Sequence, residues 1–189
     1  MRVVGGSLRG RTIEGPKDAR VRPTSDRVRE AIFNVLAHRD LGGGFTLEGA
    51  RVLDLFAGTG ALGIEAVSRG ARFCLFIDDH LESRAIIRRN VEAFSLTGVT
   101  KIWRRDASSL GPVEPNANGP FDLLFADPPY RMNLLGPALL SAREGGWLQP
   151  HAVCVAELAA DEAFAPPFGF VVADDRTHGE TRVLMLRLG

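Results

Sequence analysis

Cysteine is scarce in this chain, tyrosine is nearly absent and long apolar runs are missing. The two cysteines among 189 residues, Cys74 and Cys154, are too few to staple a fold. Each sits in an apolar, strand-like run and is expected to be a buried free thiol, as in a reducing compartment. No apolar run approaches the roughly 20 residues that a membrane-spanning helix needs. The opening Met1-Arg2-Val3-Val4-Gly5-Gly6 is too short and too glycine-rich for an export signal. A cytoplasmic location without membrane attachment is expected. No internal repeat is found, and with 45% hydrophobic and 24% charged residues the composition is that of an ordinary globular domain. A chain of this length buries a full core without a structural metal.

Net charge is absent too, with 23 Lys/Arg against 23 Asp/Glu, but the charge is unevenly spread. Residues 1–39 hold nine basic residues and four acids, a surplus of five, and the remainder carries the matching deficit. A basic arm on an acidic body suits either a polyanionic partner or a solvated surface. Residues 3–13 read as a short hairpin with exposed arginines, followed by a loop over 15–23. Thr24 or Ser25 can cap a helix after Pro23. Val28, Ala31, Ile32, Val35 and Leu36 recur at helical spacing, which turns Arg27, Arg29 and Glu30 away from the packed face. Gly42-Gly43-Gly44 marks the expected boundary between an extension (1–44) and the main domain (45–189).

From residue 51 onward strands and helices alternate. Strands are expected at 51–55, 73–77, 101–104, 121–126, 152–158, 168–172 and 182–188, with helices at 61–69, 81–94 and 134–143. This pattern implies an α/β fold, a mostly parallel seven-stranded sheet covered on both faces. The last two strands have no helix between them and should pair as an antiparallel hairpin across 173–181.

The turn after the first strand, Phe56-Ala57-Gly58-Thr59-Gly60-Ala61-Leu62-Gly63, contains Gly-x-Gly-x-x-Gly opening a helix. Such glycines let a backbone turn sharply against a ligand, and the pattern alone permits NAD, FAD or S-adenosylmethionine. Asp54, just before the turn, suits the cationic methionine part of S-adenosylmethionine better than a pyrophosphate. Asp78, at the end of the second strand, can accept from ribose hydroxyls, with Asp79 as its adjacent rival. Asp106, with Ala107 beside it after the third strand, is placed for an adenine amino group.

Asp127-Pro128-Pro129-Tyr130 ends the fourth strand. A carboxylate, a stiff backbone carbonyl and a flat ring at one point can hold a planar exocyclic amine. Tyr130, the one tyrosine of the chain, could stack on a base. In open α/β sheets ligands lie beyond the carboxyl ends of the strands, where both motifs fall.

Asp127 to Tyr130 together with Asp54 to Gly60 resembles the amino-methyltransferases. Arg22-Pro23-Thr24-Ser25-Asp26-Arg27-Val28-Arg29-Glu30-Ala31-Ile32-Phe33-Asn34 is narrower. With Gly5-Gly6-x-x-Arg9-Gly10-Arg11 before it and Gly179-Glu180-Thr181 near the end, it resembles the RsmD family of bacterial rRNA guanine-N2 methyltransferases. That resemblance implies the class I methyltransferase (Rossmann-like) sandwich with an RNA-facing extension, S-adenosylmethionine as cofactor, and the small ribosomal subunit as partner of a monomeric enzyme. It makes Arg9, Arg11, Arg20, Arg22, Arg27 and Arg29 candidates for phosphate contacts. His80 stands where the family commonly carries an acid, which bears on how the cofactor's sugar is held. The tetrapeptide by itself also admits an adenine or cytosine amine in DNA, or a protein glutamine. An NAD-dependent oxidoreductase and a non-catalytic RNA-binding assembly factor are the readings from other classes.

Overall fold

The computed structural model describes residues 1–18 and 23–189, so Arg20 and Arg22 lie outside the described residues. Helix α1 (Asp26–His38) precedes the alternation β1 (Arg51–Leu55), α2 (Ala61–Ser68), β2 (Phe73–Ile77), α3 (Leu81–Ala93) and β3 (Thr100–Trp103). Then come β4 (Phe121–Ala126), α4 (Leu135–Glu144), β5 (Leu148–Ala159), β6 (Phe170–His178) and β7 (Thr181–Leu188). The seven strands form one sheet in the order β3-β2-β1-β4-β5-β7-β6. β1 to β5 run parallel, and β7 is antiparallel to both of its neighbours.

Alternation along the strands builds two cores. Val52, Leu123, Phe125, Val153 and Val155 face α1, α2 and α3, where Ile32, Phe33, Ile64 and Ile87 meet them. Leu53, Leu55, Leu124 and Cys154 point the other way, onto Leu135, Ala138 and Leu139 of α4 and onto Trp147. Both cysteines are buried and free. Burial pushes both thiols up, that of Cys154 to about 12, so neither is a ready nucleophile. Among the described residues no helix is long and apolar enough to cross a membrane.

Three expectations change. Residues 3–13 do not form a strand ladder; a single bridge, Arg2 to Thr12, stands in its place. The expected hairpin is present in short form, since the N–H groups of Val3, Gly10 and Ile13 donate across it to the carbonyls of Arg11, Val3 and Met1, while Val4 and Gly5 N–H donate to the Glu65 carboxylate, Ser7 N–H to the Ser68 carbonyl and Leu8 N–H to Ser68 Oγ. The last hairpin is tighter than expected, because β6 runs on to His178 and leaves only Gly179-Glu180 to turn. Finally, Arg29 is fully buried rather than turned outward. Its guanidinium donates to the carbonyls of Arg2 and Thr24 and to Asp26, and so ties α1 to the first residues of the chain.

Candidate active site

The functional candidates gather at the carboxyl edge of the sheet because β1, β4 and β5 lie side by side with a common register. Leu55 pairs with Ala126, and Ala126 with Ala156. Period-2 alternation then places three acids on one sheet face: Asp54 after Val52, Asp127 after Phe125, and Glu157 after Val155. Asp54 and Glu157 are each only 2% exposed. Asp127 lies at the rim, half-buried.

All three acids hold their protons more tightly than usual. Burial is the largest cause at Asp54, opposed by the Gly63 N–H and reinforced by the charges of Asp127 and Asp78. The Asp127 carboxyl is pushed up to about 7 by burial, against the Thr24 hydroxyl, which pulls it down. Glu157 is raised by burial and then by Asp127, while Thr24 and the Arg29 guanidinium act in the opposite direction. Such a cluster favours a ligand that brings positive charge to it.

The glycine turn is docked onto β2. Ala57 N–H donates to the Ile77 carbonyl at 3.1 Å, and Gly58 N–H to Asp78 Oδ2 at 2.9 Å. Gly60 sits at φ +80° and caps α2, a conformation side chains rarely adopt. Gly63 serves close approach: a Cβ there would stand 2.5 Å from both Cys74 Sγ and Phe76. Its N–H donates to Asp54 Oδ2 at 3.0 Å. Thr59 is held through its carbonyl by Asn90 Nδ2 at 3.0 Å, and Asn90 also binds the backbone of Glu14. Phe56, at φ +53°, turns the chain out of β1.

Of the two adjacent acids after β2, Asp78 is the one turned inward. Its second oxygen accepts from His80 N–H at 2.9 Å, while the Asp79 side chain is exposed and lies 2.8 Å from the His80 ring. Asp106 is exposed, and Oδ1 accepts from the Ser108 N–H and hydroxyl, which hold its carboxyl below the usual range. Ala107 beside it is buried. In the tetrapeptide Pro128 is buried and Pro129 exposed. The Tyr130 hydroxyl lies 3.1 Å from Thr181 Oγ1, so the Asp127 loop meets the Gly179-Glu180-Thr181 turn. A cavity of about 260 Å³ adjoins this loop, lined in part by Pro128, Pro129, Leu134, Leu158 and Phe164.

Not every arginine of the basic arm reaches solvent freely. Arg9 and Arg27 are exposed. Arg11 donates to the Ala93 carbonyl at 2.6 Å with its guanidinium 4.6 Å above the Phe94 ring. The burial of Arg29 removes it from the surface that a polyanion could touch, a correction to its expected role. Two residues escaped the sequence reading. Thr24 does not cap α1, a role taken by Ser25; its hydroxyl instead lies 2.8 Å from Glu157 and 3.3 Å from Asp127. Glu157 could have been found by noting that Val153-x-Val155-x-Glu157 repeats the pattern Leu123-x-Phe125-x-Asp127.

The donor set fits S-adenosylmethionine. Asp54 is turned inward beneath the glycine turn with Oδ2 held by Gly63 N–H, and Asp78 accepts from Gly58 N–H of the same turn, so carboxyls suited to an ammonium group and to ribose hydroxyls flank it. The family described as Conserved hypothetical protein 95 matches residues 1–187. A Bacillus subtilis protein provisionally named an rRNA methyltransferase is 33% identical over 188 residues, 99% of this chain and 98% of its own length. The Escherichia coli ribosomal RNA small subunit methyltransferase D is 35% identical over 158 residues, 83% of this chain and 74% of that protein. A solved Escherichia coli structure, provisionally named as a methyltransferase, superposes with a TM-score of 0.80 at 28% identity and covers 100% of this chain and 97% of its own. The fold is thus the class I methyltransferase sandwich.

Proposed function

This chain belongs to the RsmD family, and from that premise we propose that it transfers a methyl group from S-adenosylmethionine to the exocyclic N2 amine of a guanine in small-subunit ribosomal RNA. The observation that carries the proposal is the placement of Asp127, on the same sheet face as Asp54 and one strand away from the glycine turn. In this reading Asp54 receives the ammonium group of the cofactor, Asp78 its ribose hydroxyls, and Asp106 and Ala107 its adenine edge. Phe56 to Gly60 supply the backbone surface on which it lies. When bound, the cofactor supplies an electrophilic methyl group on a sulfonium.

The amine to be methylated is a weak nucleophile, because its lone pair is delocalised into the base. Asp127 and the Pro128 carbonyl accept its two N–H bonds, favour a more pyramidal nitrogen and stabilise the charge that develops on it. Pro128 and Pro129 hold these acceptors in place, so little reorganisation is needed at the moment of transfer. Tyr130 offers a stacking face, anchored through its hydroxyl at Thr181. The base leaves its own stack to enter such a pocket. Segment 1–44 is the RNA-facing part, with Arg9, Arg11, Arg22 and Arg27 as its phosphate contacts. The enzyme acts as a monomer on ribosomal subunits in the cytoplasm.

The test is transfer of labelled methyl from S-adenosylmethionine to isolated small subunits, naked rRNA and DNA, with wild type and Asp127→Ala. Label on small-subunit RNA that is lost with Asp127→Ala is expected. No label on any nucleic acid overturns the activity, and label on DNA alone overturns the acceptor.

A further inference from the structure

Thr24 Oγ1 lies 2.8 Å from Glu157 Oε1 and 3.3 Å from Asp127 Oδ2. A hydroxyl carries one proton and donates once, whereas an ionised carboxylate only accepts. Both contacts are hydrogen bonds only when one of the two carboxyls keeps its own proton and donates it to Oγ1. The proton belongs on the acid that water reaches least. Glu157 is buried in the sheet beside Val183 of β7, and Asp127 sits at the rim.

We propose that Glu157 is a positioning residue that holds the proton of this pair, so that the Thr24 hydroxyl donates to Asp127 Oδ2 and fixes Asp127 as the ionised acceptor of the substrate amine. This deepens the proposed amine methylation and rests on it. With Oδ2 anchored, Oδ1 is the oxygen left to receive the amine N–H. The charged and titratable groups that face Glu157 are Asp127 just past β4, Asp54 from β1 and Arg29 from α1. With Glu157 itself, three acids against one cation keep a proton on the cluster near neutral pH. Thr24 is itself held from behind, because Arg29 Nη1 donates to its carbonyl at 3.0 Å. The buried arginine of the N-terminal segment therefore acts on the catalytic acid through Thr24, a role unlike the phosphate contact first expected of it.

The experiment pairs carboxyl carbon NMR titration of the cofactor-free protein with the pH profile of methyl transfer to small subunits. In the wild type Asp127 should ionise at lower pH than Glu157. Glu157→Gln keeps a neutral donor toward Thr24, so transfer at pH 7 should stay within about threefold of wild type, and Asp127 should titrate in one simple step at lower pH. Thr24→Val should raise the Asp127 titration by about one pH unit and lower kcat about tenfold or more, with KM for subunits within about twofold. Thr24→Ser should restore both. The proposal is overturned if Glu157 ionises before Asp127, if Thr24→Val matches wild type in titration and kcat, or if folded Glu157→Gln is inactive. If the wild type methylates no RNA, the reading of the reaction fails, and the titrations still decide the proton's place.

Discussion

Asp127→Asn should make the cofactor-free protein more stable at pH 8 and leave it unchanged at pH 4. Burial raises the Asp127 carboxyl from its ordinary 3.8 to about 7. The folded chain therefore binds this proton more tightly than the unfolded chain does. By linkage the wild type loses stability as pH climbs from about 4 to about 7, and the loss is constant above that. A shift of about three units corresponds to about 4 kcal/mol at most. Asp127 is half-buried, so solvent screening reduces the expected effect to about 2 kcal/mol. For a protein of this size that is about 4–8 °C in Tm. Asparagine has nearly the same shape and can still meet the Thr24 hydroxyl, so the comparison isolates the charge. Calorimetric melts of both proteins between pH 4 and pH 8.5 give the difference directly. Equal pH dependence in the two proteins, or a variant less stable than wild type at pH 8, would show that the Asp127 carboxyl does not carry a raised proton affinity in the folded chain.

Arg29→Ala should cost about 3 kcal/mol or more in urea unfolding, because Glu65 and Asp26 lose a buried partner and the carbonyls of Arg2 and Thr24 lose their donor. Arg29→Lys should fail to restore it, since one ammonium cannot reproduce the planar fork. Gly63→Ala should destabilise by about 1–3 kcal/mol, since the added Cβ meets Cys74 and Phe76, and it should weaken S-adenosylmethionine binding measured by calorimetry. Arg9→Ala and Arg27→Ala should each weaken RNA binding and lower the slope of log K against log salt by about one, with no change in Tm beyond about a degree.

Much of the fold was legible because parallel strands are short, apolar and separated by helices. β2 and β4 fall on the expected residues 73–77 and 121–126, and helices α2 and α3 end within a residue of expectation. The glycine turn and the Asp127 loop were legible for the same reason: strand ends in this architecture are where ligands lie. What stayed hidden depends on contacts distant in sequence. The Gly-rich segment after Met1 had hairpin spacing and does close on itself through a few backbone pairs, but Glu65 and Ser68, some sixty residues away, take the donors of Val4, Gly5 and Leu8. Arg29 sat between Val28 and Glu30 on α1, and nothing local said that the arm would fold over it. Thr24 looked like a helix cap because Thr and Ser at such positions usually are. Its true partners lie 103 and 133 residues downstream. Glu157 was masked by the apolar run around it, since the pairing of β4 with β5 is what brings it beside Asp127.

The most direct test of the central claim is the chemical identity of the methylated nucleoside. Small subunits from cells lacking their own N2-guanine methylation are incubated with the protein and S-adenosylmethionine, and their RNA is digested to nucleosides for mass spectrometry. A new N2-methylguanosine, absent with Asp127→Ala, is the predicted result. A methylated adenosine or cytidine in its place, or no modified nucleoside at all, would contradict the account.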